Sequence, residues 1–259
     1  MTAIRYSRVL LIIAAALLVI AAGPVSVSAI TGGGPDNGAH PYVGMTYNDE
    51  YLCSGTLISA TVFLTAGHCT ALFQSGGSQV YVTFGDSVDF DPANAVTGTP
   101  YTHPNFCLEC APGLPGFDAY DVGVIVLDQP VTGLGFGALP YESQVNDLAK
   151  GTALTAVGYG VQGYERGGGQ PQPIFTATRY RADVTFRNVD NRIGDMFIKL
   201  SNNQKGGTCS GDSGGPIFAP DQVTVLGVTA FGNGLCTSNG YAQRTDRADI
   251  LAFIASFMQ

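Results

Sequence analysis

The chain has 259 residues, with 20 acidic and 12 basic side chains and a formal net charge of −8. This acidic balance argues against nucleic acid or an anionic membrane as a partner, because both are bound through clusters of Lys and Arg. Beyond that exclusion, an acidic surface indicates only solubility.

The first 29 residues have the features of a secretory signal peptide. Arg5 and Arg8 precede an apolar run over residues 9–23, and Ala29 is a small residue suited to cleavage. The run is shorter than the ~20 apolar residues that a membrane-spanning helix needs, although an uncleaved anchor is the alternative. We therefore expect a secreted protein without stable membrane association. Cleavage removes two basic side chains and leaves 10 basic against 20 acidic ones.

The remaining 230 residues, 30–259, are enough for one large or two small hydrophobic cores. Short apolar or alternating runs, separated by Gly, Pro and Asn, indicate an all-β barrel or sandwich. These runs are residues 80–84, 122–127, 154–157, 196–200 and 223–228. The span 129–151 mixes Pro, Gly and polar residues, and we predict that it connects two barrels.

Helical spacing is visible at the C-terminus alone. Ile250, Phe253, Ile254 and Phe257 follow the i, i+3, i+4, i+7 pattern of an amphipathic helix. Thr245 or Asp246 is available as its N-cap, so a helix is predicted over about 246–258.

All six cysteines lie beyond the signal peptide, and an even number in an exported chain favours disulfides. Six cysteines allow 15 pairings, among which the sequence alone does not choose. The spacing of Cys107 and Cys110, with His103 just upstream, leaves a zinc or redox site as an alternative.

One segment concentrates the features of a nucleophile. In Thr-Cys-Ser-Gly-Asp-Ser-Gly-Gly-Pro, residues 208–216, Ser213 occupies a glycine-flanked bend where backbone N–H groups can converge on a reacting carbonyl. A serine hydroxyl needs an adjacent base, and His68 within Thr-Ala-Gly-His-Cys, residues 65–69, supplies one. Together the two segments resemble the chymotrypsin/trypsin family of serine endopeptidases.

The resemblance extends over residues 30–259, and the motifs follow the family's chain order. It implies an all-β fold of two six-stranded antiparallel Greek-key barrels, at about 30–135 and 150–245, with a C-terminal helix. It also implies the disulfides Cys53–Cys69 and Cys209–Cys236. Cys107 and Cys110 have no counterpart in the family pattern and are expected to pair with each other.

The resemblance assigns a role to each member of a catalytic triad. Ser213 would attack the scissile carbonyl, and His68 would take its proton and return it to the leaving amine. The third member would be Asp121, which opens a β-branched strand where an acid needs a partner. Asp118 is the alternative, whereas Asp128 is expected in a turn. His40 and His103 are expected to be structural or solvated.

Two further elements of the family carry over to residues near the nucleophile. The N–H groups of Gly211 and Ser213 would form the oxyanion hole. Asp212 would form an ion pair with the freed ammonium group of Ile30. Because Ile30 directly follows the predicted cleavage site, we expect signal peptidase itself to generate the active N-terminus. A slightly earlier cut followed by a short propeptide is the alternative.

The family's primary specificity pocket would be lined by Gly207, Thr208, Ala230, Phe231 and Gly232. Gly207 would be its base, and the absence of an acid there argues against a preference for Arg or Lys. An open, uncharged slot favours large apolar or aromatic side chains, and a glutamate-preferring pocket is the alternative. Whether Asn239 or Gly240 also lines the pocket is open from the sequence. Ala230 replaces a family serine that bonds the catalytic acid.

The remaining expectations concern cofactors and partners. No cofactor is expected. Residues 86–91 contain three carboxylates, roughly where some relatives bind calcium in a loop. An exposed acidic loop without a bound ion is the favoured interpretation. The expected partners are protein or peptide substrates, and the expected state is a monomer. The competing functions are a non-catalytic homologue that serves as a binding module, and an esterase of narrow range.

Overall fold

The computed structural model describes residues 30–110, 118–165, 170–189, 195–202, 206–233, 236 and 238–258. Within these ranges the chain forms mostly short strands. They are β1 Gly34–Pro35, β2 Val43–Tyr47, β3 Leu52–Ser59, β4 Val62–Thr65, β5 Val80–Phe84, β6 Val96–Thr102, β7 Gly123–Leu127, β8 Ala153–Gly158, β9 Gly163–Glu165, β10 Gln172–Ile174, β11 Tyr180–Val189, β12 Phe197–Ser201, β13 Pro216–Phe218, β14 Val225–Phe231 and β15 Asn239–Arg244.

Two helices accompany the strands, α1 over Gly67–Gly76 and α2 over Ala248–Ala255. Short 3₁₀ helices span Pro92–Asn94 and Gln144–Asp147. No helix in the described part of the chain is long and apolar enough to cross a membrane. The predicted signal peptide lies outside the described residues.

The first six strands after β1 close into an antiparallel barrel in the order β2-β3-β4-β7-β6-β5. Its strands are rich in Val, Ile and Leu, and β2 and β4 are buried along their whole length. Strands buried on both faces need continuous apolar sequence, which explains why β4 and β7 read as uninterrupted apolar runs.

The second barrel closes through β8, β11, β12, β15, β14 and β13, because β8 pairs with both β11 and β13. The two-barrel, all-β fold predicted from the sequence is therefore confirmed. One expected boundary is wrong: β1 pairs with β11, and Ile30 belongs to the second barrel's core. The strands of the first barrel begin at Val43 rather than near residue 30, because the N-terminal segment crosses to the other barrel.

The C-terminal helix forms, but neither predicted residue caps it. The N-cap is Arg247, without a side-chain capping hydrogen bond. Thr245 instead donates its hydroxyl to the carbonyl of Val225. Asp246 is buried and forms an ion pair with Arg244. The Nε atom of Arg244 lies 2.8 Å from the Oδ1 atom of Asp246. Both side chains therefore serve the packing of β15 rather than the helix end.

Helix α1 is not predicted by the sequence analysis. Its N-cap, Ala66, makes no side-chain capping bond, and its first turn contains no acidic residue. The helix ends at Gly77, whose φ of 64° suits a glycine. Without an N-cap side chain, an acidic first turn or an amphipathic stripe, the sequence gives little that marks these ten residues as helical.

Three disulfides join Cys53 to Cys69, Cys107 to Cys110 and Cys209 to Cys236. The first and third bridges are those that the family resemblance implies, and the second is the pairing expected for the two remaining cysteines. The Cys53–Cys69 bridge ties α1 to β3, and the Cys209–Cys236 bridge lies beside the nucleophile segment. Because the thiols of Cys107 and Cys110 are joined in this disulfide, they are not available as zinc ligands.

A buried arginine connects the two barrels. Arg179, 2% exposed, donates from Nη1 to the carbonyls of Val43 and Gly85 in the first barrel. Its Nε donates to Asp36 at 3.0 Å. Burial raises the pKa of Asp36, but hydrogen bonds from His40 and Arg179 outweigh this and lower it to about 2. His40 is thus structural, as expected.

Replacing Arg179 with leucine is expected to destabilise the protein by about 3–5 kcal/mol, because the buried carboxylate of Asp36 loses its cation. Urea unfolding would measure the change. The matched control is Arg181→Leu, since Arg181 is exposed on β11; it should change stability by no more than about 0.5 kcal/mol. Equal effects of the two substitutions would contradict the role of Arg179.

Candidate active site

The predicted catalytic residues come from both barrels. His68 lies in the first turn of α1, directly after β4, and Asp121 lies two residues before β7. Both belong to the first barrel, where β4 and β7 are hydrogen-bonded neighbours. Ser213 lies in the bend that precedes β13 of the second barrel. The site therefore depends on how the barrels are held together.

His68 and Asp121 form a close, oriented pair. The Nδ1 atom of His68 lies 2.9 Å and 3.1 Å from the two carboxylate oxygens of Asp121. The backbone N–H of His68 also donates to this carboxylate at 2.7 Å. A carboxylate only accepts, so Nδ1 carries the proton and Nε2 keeps a free lone pair. The Asp121 side chain is 1% exposed and that of His68 is 19% exposed.

The electrostatics of the pair favour a basic imidazole. Burial lowers the pKa of His68, but the charge and hydrogen bond of Asp121, with a smaller contribution from Asp118, raise it above its ordinary value. Burial in turn raises the pKa of Asp118, which accepts a hydrogen bond from the N–H of Glu109 at 2.8 Å. Asp118 is thus a nearby second charge, whereas Asp121 holds the ring. Asp128 bonds Thr97 instead.

Gln243 is a positioning residue that the sequence analysis missed. Its Oε1 accepts the backbone N–H of Asp121 at 3.0 Å, and its Nε2 donates to the carbonyl of Met196. The hydrogen bonds to the Asp121 carboxylate in the described part of the chain come from His68 alone. No side chain therefore replaces the hydroxyl that Ala230 lacks. No alternation in β15 marks this role, because Ala242, Gln243 and Arg244 are all buried.

The bend around Ser213 requires glycine at two positions. Gly211 has φ of 91° and Gly214 has φ of 78°, a region that side chains rarely adopt. A Cβ at 211 would lie 2.9 Å from the Cα of Gly160, and one at 214 would lie 2.5 Å from the carbonyl oxygen of Ser54. Glycine is therefore required at both positions, because of the backbone conformation and because neighbouring atoms leave no room for a side chain.

The donors of this bend are free to bind a ligand. Within the described residues, no hydrogen bond uses the backbone N–H of Gly211 or Ser213. The neighbouring N–H groups are occupied: Asp212 donates to the carbonyl of Cys209 and Gly214 donates to that of Thr229. These two unoccupied donors lie on either side of Asp212, and the side chain of Ser213 is half-buried. The described hydrogen bonds of the His68 ring go to Asp121, and none reaches Ser213.

Ser54 of β3 holds the bend against the first barrel. Its N–H donates to the carbonyl of Ser213 at 2.8 Å, and its hydroxyl donates to the carbonyl of Gly211 at 2.9 Å. The same hydroxyl accepts the N–H of Tyr159 from the second barrel at 3.0 Å. The sequence analysis missed this residue, because an ordinary serine in a strand gives no local signal apart from its position beside Cys53.

Asp212 is fully buried and anchors the bend from within. Its carboxylate accepts the N–H groups of Gly160 and Cys209, each at 2.8 Å. Burial raises its pKa to about 7, although these two hydrogen bonds act in the opposite direction. The described contacts of this carboxylate do not include Ile30. Ile30 is itself fully buried, and the next residue, Thr31, pairs with Gly207.

A cavity of about 200 Å³ opens beside Ser213. Thr208, Ala230, Phe231 and Gly232, all predicted pocket residues, line it. Gly207 is not among the described lining residues; its N–H donates to the carbonyl of Thr31 behind the cavity. None of the described lining residues is charged. The pocket is therefore neutral, with Phe231 as one wall.

The acidic loop and His103 lie away from this arrangement. Asp86 pairs with Arg179, Asp89 accepts from Asn94, and Asp91 caps the first 3₁₀ helix. Each of the three carboxylates thus has a partner within the protein. His103 is buried and stacks on Tyr120 at 5.1 Å between ring centroids, and burial lowers its pKa.

Comparisons with known proteins agree with this geometry. The family model described as Trypsin matches residues 30–254. A trypsin from Saccharopolyspora erythraea is 29% identical over 206 residues, which cover 75% of this chain and 82% of that protein. A CLIP domain-containing serine protease B10 from Anopheles gambiae is 30% identical over 216 residues, covering 74% of this chain but only 57% of that longer protein.

A solved structure of HL collagenase has the same fold, with a TM-score of 0.67 and 20% identity. The match covers 88% of this chain and 98% of that one. Because the family model covers nearly all of the chain beyond residue 29, and both barrels have the family architecture, this chain belongs to the trypsin family of serine endopeptidases.

Proposed function

We propose that this chain is a secreted serine endopeptidase in which Ser213, His68 and Asp121 act as the catalytic triad. The observation that carries the proposal is the buried Asp121 carboxylate on Nδ1 of His68, which leaves Nε2 as the basic nitrogen. The raised pKa of His68 suits proton transfer near neutral pH.

The chemistry follows from these positions. His68 Nε2 takes the proton of the Ser213 hydroxyl as its oxygen bonds to the scissile carbonyl carbon. The C–N bond then breaks, and the same proton passes to the leaving amine. Water, deprotonated by His68, hydrolyses the acyl-enzyme and releases Ser213. A hydrogen bond between His68 Nε2 and the Ser213 hydroxyl is expected to form when substrate binds, because such bonds are often long or misaligned in enzymes without ligand.

The N–H groups of Gly211 and Ser213 are proposed to stabilise the oxyanion. Support comes from the glycine-dependent bend, which fixes both donors before substrate arrives. Preorganised donors need no reorganisation as charge develops, and losing one typically costs about 10²–10³ in rate. Ser54 and Asp212 are positioning residues that hold this bend.

Activation is proposed to use the N-terminus of Ile30. Asp212 is a buried carboxylate whose described partners are two backbone N–H groups and no cation. An ammonium group freed by cleavage after Ala29 would supply the missing positive charge. Ile30 lies buried in the core of the second barrel, and Thr31 pairs with Gly207. The N-terminal segment therefore already lies against the second barrel, the barrel to which Asp212 belongs.

The preferred substrate is proposed to carry a large apolar or aromatic side chain on the residue before the cleaved bond. A neutral cavity with Phe231 and Gly232 as walls supports this preference. The described lining of the cavity contains no acid that could pair with Arg or Lys of a substrate. It also contains no basic residue that could pair with Glu, which argues against the glutamate-preferring alternative.

Labelling with a serine-directed phosphonate tests the proposed nucleophile. We expect one covalent adduct on Ser213 in folded protein and none in the Ser213→Ala variant, because only an activated serine reacts. Mass spectrometry of tryptic peptides would locate the adduct. Ser210→Ala, three residues away, is the matched control and should label normally. An unlabelled wild-type protein would favour the binding-module function instead.

The pH dependence of kcat/KM tests the proposed base. Activity should fall as pH drops through the pKa of His68, with a midpoint above the ordinary histidine value of about 6.5. Asp118→Asn removes a negative charge that favours the imidazolium, so the midpoint should move to lower pH. Asp183→Asn, on exposed β11, should leave it unchanged. A midpoint unaffected by Asp118→Asn would show that this charge does not reach His68.

N-terminal sequencing of the secreted protein tests the activation step. We expect the mature chain to begin at Ile30, because the predicted signal cleavage falls directly before it. Another starting residue would show that a separate processing step is needed.

A further inference from the structure

We propose that the Cys107–Cys110 disulfide is a reversible thiol–disulfide exchange site, and that opening it removes one wall of an apolar cavity that binds a second substrate side chain. This inference rests on the proposed function, because it places a peptide between His68 and Ser213 as the occupant of that cavity.

The Cys107–Cys110 bridge is the accessible one among the three disulfides. Cys110 is exposed and Cys107 is half-buried. The four cysteines of the other two bridges are each at most 8% exposed. Exchange requires a thiolate to reach a sulfur atom of the bridge. A dithiol in solution therefore reaches this bridge before the others.

The bridge fixes a short local loop rather than a barrel. Its cysteines are separated by 3 positions in the sequence, whereas those of the other bridges are separated by 16 and 27. The stabilisation that a disulfide gives by constraining the unfolded chain grows with the length of the closed loop, so this bridge contributes the least of the three. We therefore expect both barrels to stay folded when it opens.

The loop closed by the bridge forms one wall of a cavity beside His68. The cavity has a volume of about 570 Å³, and Phe106, Leu108 and Asp118 line it together with His68 and residues of α1. Leu108, which lies between the two cysteines, is 67% exposed and so is available for contact with a ligand. Phe106 packs against the residue before His68, because a Cβ at Gly67 would lie 2.9 Å from its Cδ2.

The closed bridge holds the backbone around Leu108 in an unfavourable conformation. Glu109, the other residue between the cysteines, has φ of 55°, a region that residues other than glycine rarely adopt. In this conformation its N–H donates to Oδ1 of Asp118 at 2.8 Å. Opening the bridge lets Glu109 relax, which breaks this hydrogen bond and moves Leu108 out of the wall.

A bound peptide has to pass this cavity. Ala230 lines both this cavity and the one beside Ser213, so the two are neighbours. Successive side chains of an extended peptide point to opposite sides. When one side chain fills the cavity beside Ser213, the next one therefore meets the walls beside His68. Since Leu108, Phe106 and the α1 residues Ala71 and Leu72 make these walls largely apolar, the cavity favours an apolar side chain.

A dithiol supplies the electrons for the exchange. One of its thiolates attacks Sγ of Cys110, and Cys107 leaves as a thiolate. The second sulfur of the dithiol then displaces Cys110, so the dithiol becomes a disulfide and its two protons end on the two cysteines. Two electrons pass to the enzyme in total. An external disulfide reverses both steps and closes the bridge again.

Dithiothreitol without denaturant tests the proposal. We expect iodoacetamide then to alkylate Cys107 and Cys110 while the other four cysteines stay protected, as located by mass spectrometry. Specificity is measured as kcat/KM on peptides with Leu or Ala on either side of the residue that fills the cavity beside Ser213. The oxidised enzyme should prefer Leu at one of these positions by about tenfold, and reduction should lower this preference to about threefold or less. Reoxidation should restore it.

Substitutions identify the wall that is lost. The double variant Cys107→Ser, Cys110→Ser should show the low Leu preference with and without dithiothreitol. Leu108→Ala should show it while the bridge is closed. Val223→Ala, at an exposed apolar residue outside the described lining of the cavity, is the matched control and should keep the full preference. If the double variant does not fold, reduction of the wild type and Leu108→Ala decide the question.

Active-site titration with the phosphonate separates failure of this inference from failure of the proposed function. A titrating wild type without a Leu preference, or one whose preference survives opening of the bridge, would overturn the inference alone. Alkylation of the other cysteines as readily as Cys107 and Cys110 would do so too, as would loss of titrating sites when only this bridge opens. A wild type that neither titrates nor cleaves any peptide would overturn the proposed function as well.

Discussion

The buried guanidinium of Arg179 is the interaction on which the arrangement of the two barrels depends. It lies on the second barrel and donates to the carbonyls of Val43 and Gly85 on the first, while its charge is balanced by Asp36. A buried charge that loses its partners is strongly unfavourable, so these contacts stabilise the observed placement of the barrels. The site needs that placement, because the paired His68 and Asp121 face a serine from the opposite barrel.

Around Ser213, the geometry is made by backbone groups more than by side chains. Ser54 binds the carbonyls of Gly211 and Ser213, and Asp212 binds two N–H groups from within. These contacts leave the N–H groups of Gly211 and Ser213, the two donors that the proposed oxyanion requires, without a described partner.

Local patterns explain which predictions succeeded. The strands at 80–84 and 122–127 were predicted within a residue, because apolar alternation and Gly or Pro boundaries are properties of short segments. Helix α1 was missed because it has no N-cap side chain and no apolar stripe. The helix caps predicted at Thr245 and Asp246 were wrong because Thr245 bonds the carbonyl of Val225, while Asp246 pairs with Arg244 and accepts the N–H of Val145. Nothing in the residues near Ile30 indicates that this segment pairs with the second barrel.

The sequence by itself determined the fold class, the family and the candidate residues His68, Asp121 and Ser213, because each lies in a short motif whose residue types serve one chemistry. Only the tertiary structure decided what holds those residues. Ser54 and Gln243 act through atoms far away in the chain, so their roles arise from the packing of strands and leave no trace in neighbouring sequence.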